Sequence, residues 1–183
     1  MPIVPIVVEP HEKLHMFCEP VVRFDQEVGD LVQNLLDTVR AARDPVGAGL
    51  AAPQLGMLKR VCVARKFSDD FDESNPNSLD DTVLINPILV KSSREKVLGW
   101  EGCLSLPNIY VQVERATKIR VEAYNIKGKK FQLNAVGFYA RVIQHEMDHL
   151  DGKLITDKDR AVGPILTDEQ FNRMFEQRDH QEL

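Results

Sequence analysis

Apolar positions recur at helical spacing in two stretches of the chain and alternate in a central group. Leu31, Leu35 and Val39 fall at i, i+4 and i+8, with Val32 and Leu36 widening the stripe. That pattern predicts an amphipathic helix. Asp25 is placed to cap it, and it should run to about Ala42, because Asp44 precedes Pro45 and a residue before proline avoids helical torsions. The strongest helical pattern spans 135–150. Val136, Ala140, Ile143, Met147 and Leu150 form one apolar stripe; Phe138, Val142, His145 and His149 form a second. Two apolar faces predict a helix inside the domain rather than on its surface. Gly152 supplies its stop. Thr167-Asp-Glu-Gln170 fits a capping box and opens a short polar helix in the tail, 165–183.

Between the helices the period falls to two. Residues 60–66 (RVCVARK) and 118–124 (KIRVEAY) alternate as strands. Residues 83–86, 88–90 and 97–100 read as further short strands. Asn125–Lys129, containing Gly128, reads as a turn, and 130–134 completes a hairpin. Residues 1–24 form an extended, proline-punctuated arm. GAGLAAPQLG (47–56) is expected to be a small-residue loop, and 67–81, with six acidic residues, a solvated surface loop. Strands gather in the middle and helices flank them without a βαβ rhythm. The expected class is α+β, with antiparallel sheets packed around a buried central helix, an N-terminal helix and a short C-terminal helix. The whole of 1–183 reads as one domain.

Composition adds exclusions. At 183 residues with 43% hydrophobic and 28% charged positions, the chain can bury a core without staples. Its net charge of −5 disfavours binding to nucleic acid or an anionic membrane. No apolar run approaches a membrane span. Pro2, Pro5 and Pro10 break the N-terminal apolar stretch, which argues against a signal peptide. Three widely spaced cysteines (18, 62, 103) point to a reducing cytoplasm rather than a disulfide framework. Cys18 and Cys62 read as small buried hydrophobes.

The second helix carries His145-Glu-Met-Asp-His149, an HExxH motif. Four residues advance a helix by about 400°, leaving the two imidazoles about 40° apart and about 6 Å along the axis. Both can bind one metal from one face, while Glu146 points beside it, where a carboxylate can take a proton from water. A catalytic site needs a third ligand. Downstream candidates are Asp157, Asp159, Glu169 and His180, with nothing to single one out. Upstream, Cys103 lies in Trp-Glu-Gly-Cys-Leu-Ser-Leu-Pro (100–107), where Gly102 permits close backbone approach. A thiolate with two imidazoles suits a first-row metal. Gly47-x-Gly49-x-x-Ala52, with Asp69 or Asp70 about twenty residues on, also matches a dinucleotide fingerprint. It follows a helix instead of a strand, however, and Pro53 sits where a helix should open. Gln54 carries a neutral amide that can donate to a developing oxyanion.

Gly47–Gln54 (GAGLAAPQ), Glu101–Ser105 (EGCLS) and Gln144–His149 (QHEMDH) together resemble the three signatures of the peptide deformylase family, in the family's order. Leu84-Ile-Asn-Pro87, Val113–Val121 with Arg115, Gly137 and Asp148–Gly152 extend the likeness. The resemblance implies a metal-dependent hydrolase that removes the formyl group from N-terminal formylmethionine and releases formate. It implies that Cys103, His145 and His149 bind one divalent ion with water as fourth ligand. Glu146 moves the proton, and the Gln54 amide and Leu104 N–H stabilise the oxyanion. It places an extended peptide beside the segment around Gly49 and the segment after Cys103, with Gly49, Gly102, Phe138 and Val142 binding substrate, methionine against the last two, and a Glu101–Arg115 ion pair holding the Cys103 loop. The family's native ion is Fe2+, with Zn2+, Ni2+ or Co2+ as substitutes; bare donor chemistry favours zinc.

Departures concern efficiency and partners. Leu14-His15 replaces a Leu-Arg pair, and Tyr110 stands where several members have a basic residue. The tail from Thr167 holds five acids against two arginines, so docking on ribosomal RNA is not expected. The partners implied are N-formylmethionyl nascent chains, with transient ribosome proximity at most, no direct nucleic acid, no membrane, and a monomeric state. The alternatives are an HExxH endopeptidase, with its third ligand downstream, and a non-catalytic metal-stabilised module.

Overall fold

A computed structural model describes residues 3–43, 45–67 and 79–179. Helix α1 (Gln26–Ala41) begins at Asp25, whose side chain accepts from the Val28 N–H at 3.4 Å. It is followed by strands β1 (Gly49–Ala51) and β2 (Val61–Lys66), with a 3-10 turn, Ala52–Leu55, between them. Then come β3 (Asp80–Ser92), β4 (Lys96–Cys103), β5 (Leu106–Ala116), β6 (Lys118–Tyr124) and β7 (Lys130–Val136). Helix α2 (Gly137–Leu150), strand β8 (Ala161–Thr167) and helix α3 (Asp168–Asp179) complete the order. All pairings between these strands are antiparallel. One sheet runs β1-β2-β3-β6-β7 and the other β4-β5-β8.

The β1–β2 end of the larger sheet is buried on both faces. Cys62 and Ala64 of β2 join Ala140, Val142, Ile143 and Leu150 of α2 in one cluster. Val61 and Val63, pointing the other way, join Leu31, Leu35 and Val39 of α1 in another. This explains why β2 is apolar at nearly every position although its sequence was read as one-sided alternation. The smaller sheet contributes Leu106, Val111 and Val113 to a third cluster with Leu14, Leu154 and Ile155. The metal-motif helix thus lies inside the fold, as the double stripe predicts.

Several expectations need correcting. The 47–56 segment is not a plain loop: its first part is edge strand β1 and its second a 3-10 turn. The 83–86 and 88–90 pieces are one strand, broken by a bulge at which Asn86 adopts φ 51°. The Asn86 amide accepts from Val21 N–H and donates to Val21 C=O, both at 2.8 Å, and so pins the N-terminal arm. Of the 67–81 loop, residues 68–78 lie outside the described residues. Asp80 and Asp81, however, already belong to β3, and Asp81 accepts from Arg40 at 2.7 Å and from fully buried Arg65 at 2.9 Å. An aspartate facing a buried guanidinium is held by that charge, not by solvent. Strands β5 and β8 were not foreseen. The tail helix begins at Asp168, with 165–167 finishing β8, and it is not wholly polar, since Phe171 packs on Trp100 and Tyr110. The capping box holds: Gln170 N–H donates to Thr167 Oγ1 at 3.4 Å and Thr167 N–H to Gln170 Oε1 at 2.9 Å.

Candidate active site

Three elements bring the candidate residues together. The end of β4 supplies Cys103, α2 supplies His145 and His149, and the 3-10 turn after β1 supplies Gln54. The donor atoms of Cys103, His145 and His149 all lie within 4.8 Å of one another. Cys103 Sγ is 3.2 Å from His149 Nε2, and the two imidazole rings stand 4.9 Å apart at 74°. First-row ions bind such donors at about 2.0–2.3 Å, so the three can share one ion. The downstream alternatives are engaged elsewhere. Asp157 accepts from Leu154 N–H at 2.9 Å, Asp159 pairs with Lys153 at 2.7 Å, and Glu169 pairs with Arg173 on the exposed face of α3. His180 lies outside the described residues.

The candidate ligands Cys103 and His145 are supported from behind by Glu101. Residues 101 and 103 share one face of β4, so Glu101 sits under Cys103. Its buried carboxylate takes a bidentate pair from Arg115 (both 2.9 Å), a third bond from Arg141 Nη1 (2.7 Å) and a fourth from His145 Nδ1 (2.9 Å). Fixing the proton on Nδ1 leaves Nε2 of His145 as the free lone pair, the usual arrangement behind a metal-bound histidine. Burial alone would raise the Glu101 carboxyl, but the hydrogen bonds from Arg115 and His145 outweigh it. They hold the group well below the usual carboxylate range. Arg115 also contacts Asp148, which in turn accepts from Arg160 at 2.9 Å. Burial drives His149 well below the usual imidazole range, keeping it in the neutral form a ligand needs.

Glu146 is 3% exposed, and burial pushes its carboxyl up to about 7. Its Oε2 has no hydrogen-bond partner among the described residues, nor has His149 Nδ1. An unpartnered buried carboxylate oxygen is costly in a purely structural site; here it adjoins the ligand cluster and is poised to hold a proton. Gly49 makes room for it: a Cβ there would lie 2.8 Å from Glu146 Cγ and Cδ. Gln54 is 2% exposed, and its Oε1 accepts from Ala51 N–H at 2.9 Å. That contact turns Nε2 toward the cluster, 3.6 Å from Cys103 Sγ and 3.1 Å from Ser105 Oγ. A cavity of about 210 Å³ opens over these groups. Gly49, Gln54, Gly102, Cys103, Leu104, Phe138, Val142, His145 and Glu146 all line it. His149 lies beneath, 1% exposed. Arg141, Ser105 and Trp100 were missed. Arg141 is one helical turn before His145, and a cation on that apolar face was a usable signal.

A thiolate and two imidazoles held by a second layer of hydrogen bonds, with an HExxH glutamate beside them and a cavity above, define a metal-dependent hydrolase. The family model for polypeptide deformylase matches residues 3–163, and the chain belongs to that family, whose members remove the formyl group from N-terminal methionine. It is 43% identical over 153 residues to peptide deformylase 1 of Bacillus subtilis, covering 84% of this chain and 88% of that one. Among solved structures it is similar to the peptide deformylase of Ehrlichia chaffeensis (TM-score 0.76, 31% identity, 100% and 98% of the two chains covered). It is also similar to a Met-Ala-Ser-bound class I type b peptide deformylase from Acinetobacter baumannii (TM-score 0.73, 30% identity, 84% and 97% covered).

Proposed function

We propose that this deformylase holds one divalent ion, natively Fe2+, on Cys103, His145 and His149, and that Glu146, Gln54 and Leu104 carry the remaining chemistry. The observation that carries the reading is the convergence of three metal donors, brought from distant parts of the chain, next to a buried glutamate with an unpartnered oxygen. Zn2+, Ni2+ or Co2+ also suit this donor set. The bound ion supplies Lewis acidity, polarising the formyl oxygen and lowering the pKa of water.

The chain's own residues do the rest. Glu146 takes a proton from the attacking water as oxygen adds to the formyl carbon. Gln54 Nε2 and the Leu104 N–H donate to the oxygen that gains charge. Glu146 then gives its proton to the leaving amine as the C–N bond breaks, so that formate and a free amino terminus depart. β1 and β4 are the edge strands beside the cavity, which supports an extended peptide pairing its backbone near Gly49 and Gly102. Phe138 and Val142 offer the apolar surface for methionine. The Acinetobacter relative with Met-Ala-Ser bound supports a short peptide beginning with methionine as the ligand class.

We assign the work to the cytoplasm, on nascent formylmethionyl chains, by a monomer with no direct nucleic-acid contact. No helix among the described residues is long and apolar enough to cross a membrane. Helix α3 carries Asp168, Glu169, Glu176 and Asp179 against Arg173 and Arg178, a poor match for RNA, so ribosome proximity is transient. The test is an anaerobic assay of iron-loaded protein on formyl-Met-Ala-Ser beside casein. Release of formate without casein cleavage is expected; casein cleavage without formate would favour an endopeptidase.

A further inference from the structure

We propose that α3 builds an aromatic wall onto the active-site cavity, and that this wall selects substrates with a large apolar or aromatic side chain at one of the two residues after formylmethionine. The wall stands on the two strands that flank the Cys103 loop. Gly102 of β4 pairs with Tyr110 of β5, and Trp100 with Gln112. Side chains alternate along strands, so Trp100, Gly102 and Tyr110 share one face. With no side chain at Gly102, the Tyr110 ring lies across its backbone: a Cβ there would meet Tyr110 Cε1 at 3.4 Å. Trp100 and Tyr110 both line the cavity that holds Cys103, His145 and Glu146.

Their far side is closed by α3. Phe171, in its first turn, stacks on Tyr110 with centroids 4.1 Å apart at 14° and meets Trp100 edge-on at 5.4 Å and 82°. One turn later Phe175 backs Phe171 at 4.8 Å. Four aromatic rings in one contact chain fix the orientation of the two that face the cavity. Nothing in the chemistry at Cys103 and Glu146 calls for them, and the methionine surface proposed at Phe138 and Val142 lies on another element. An aromatic surface of this kind favours apolar and aromatic groups over carboxylates. Phe171 does not line the cavity; it acts through Tyr110 and Trp100 and is a positioning residue.

This inference rests on the deformylase reading, and the test separates the two. kcat/KM is measured on formyl-Met-X-Y peptides with Phe, Leu, Ser or Asp placed at X or at Y, for the wild type, Phe171→Ala and Phe171→Tyr. The wild type is expected to favour Phe over Asp at one position by about threefold to tenfold, the range one aromatic contact supplies. The preference should reside in KM. Phe171→Ala should bring the ratio close to one, and Phe171→Tyr should restore it. Equal rates on all peptides in the wild type, or a ratio unchanged in Phe171→Ala, would overturn the proposal while leaving deformylation intact. Absence of formate from every peptide would instead remove the underlying activity.

Discussion

Replacing Glu101 by glutamine exchanges one oxygen for an NH2 group, and the consequence can be worked from the contacts. Oε1 accepts from Arg115 Nε and Arg141 Nη1; Oε2 accepts from Arg115 Nη2 and His145 Nδ1. Whichever way the amide turns, its NH2 faces two donors. The charge that balances two buried guanidiniums is also gone, with Glu101 and Arg115 each 6% exposed. Breaking one side of a buried pair costs roughly 3–5 kcal/mol. At about 2–4 °C per kcal/mol for a chain of this size, the midpoint should fall by about 6–20 °C. His145 loses its fixed tautomer in one of the two orientations and a charged acceptor in both, so metal affinity should fall about 10–100-fold. Thermal melting by circular dichroism reads the first effect and competition with a metal chelator the second. A Tm loss under about 2 °C together with unchanged metal affinity would refute the claim that this carboxylate holds the site together.

Other outcomes follow from the same geometry. Glu146→Gln should keep its metal and lose about 10²–10⁴-fold in turnover; near-normal turnover would remove Glu146 as proton carrier. Gln54→Ala should lower kcat more than it raises KM, as for a contact made in the transition state; a defect confined to KM would contradict the oxyanion role. Gly49→Ala puts a methyl 2.8 Å from the Glu146 side chain and should cost about 10²-fold in kcat by displacing it, with metal content unchanged. Full activity there would show that Glu146 has room to spare.

The candidate site was more legible than the fold around it because its residues fall in short contiguous segments. HExxH needs only helical spacing to place two imidazoles, and the Cys103 segment announces itself by a glycine before and a proline after. What joins them was harder to see. Arg141 looks like a surface cation until the helix is known to be enclosed, when its guanidinium proves to bond Glu101 and the carbonyls of Val97 and Val113. Just after its first residue strand β5 holds Pro107 and Asn108, the latter at φ 61°, local signals of a turn that tertiary pairing overrides. Strand β8 holds Gly163 and Pro164 and is mostly exposed; it survives because an edge strand tolerates proline and β5 supplies the pairing. The 47–56 segment looks like a loop because its residues are small. They are small because α2 passes close by, as the Gly49–Glu146 approach shows. Asp81 was counted with an acidic loop because nothing local reveals that Arg65, across the strand pair, is fully buried.

The central claim is that Cys103 and the two histidines grip a single ion, and cobalt reads it directly. Stoichiometric Co2+ added anaerobically to the metal-free protein should give one bound ion per chain and a thiolate-to-cobalt charge-transfer band. The band should vanish in Cys103→Ala and persist when Cys18 or Cys62, both buried apart from the cluster, is replaced. A band that survives loss of Cys103, or cobalt bound with no thiolate signature at all, would contradict the account.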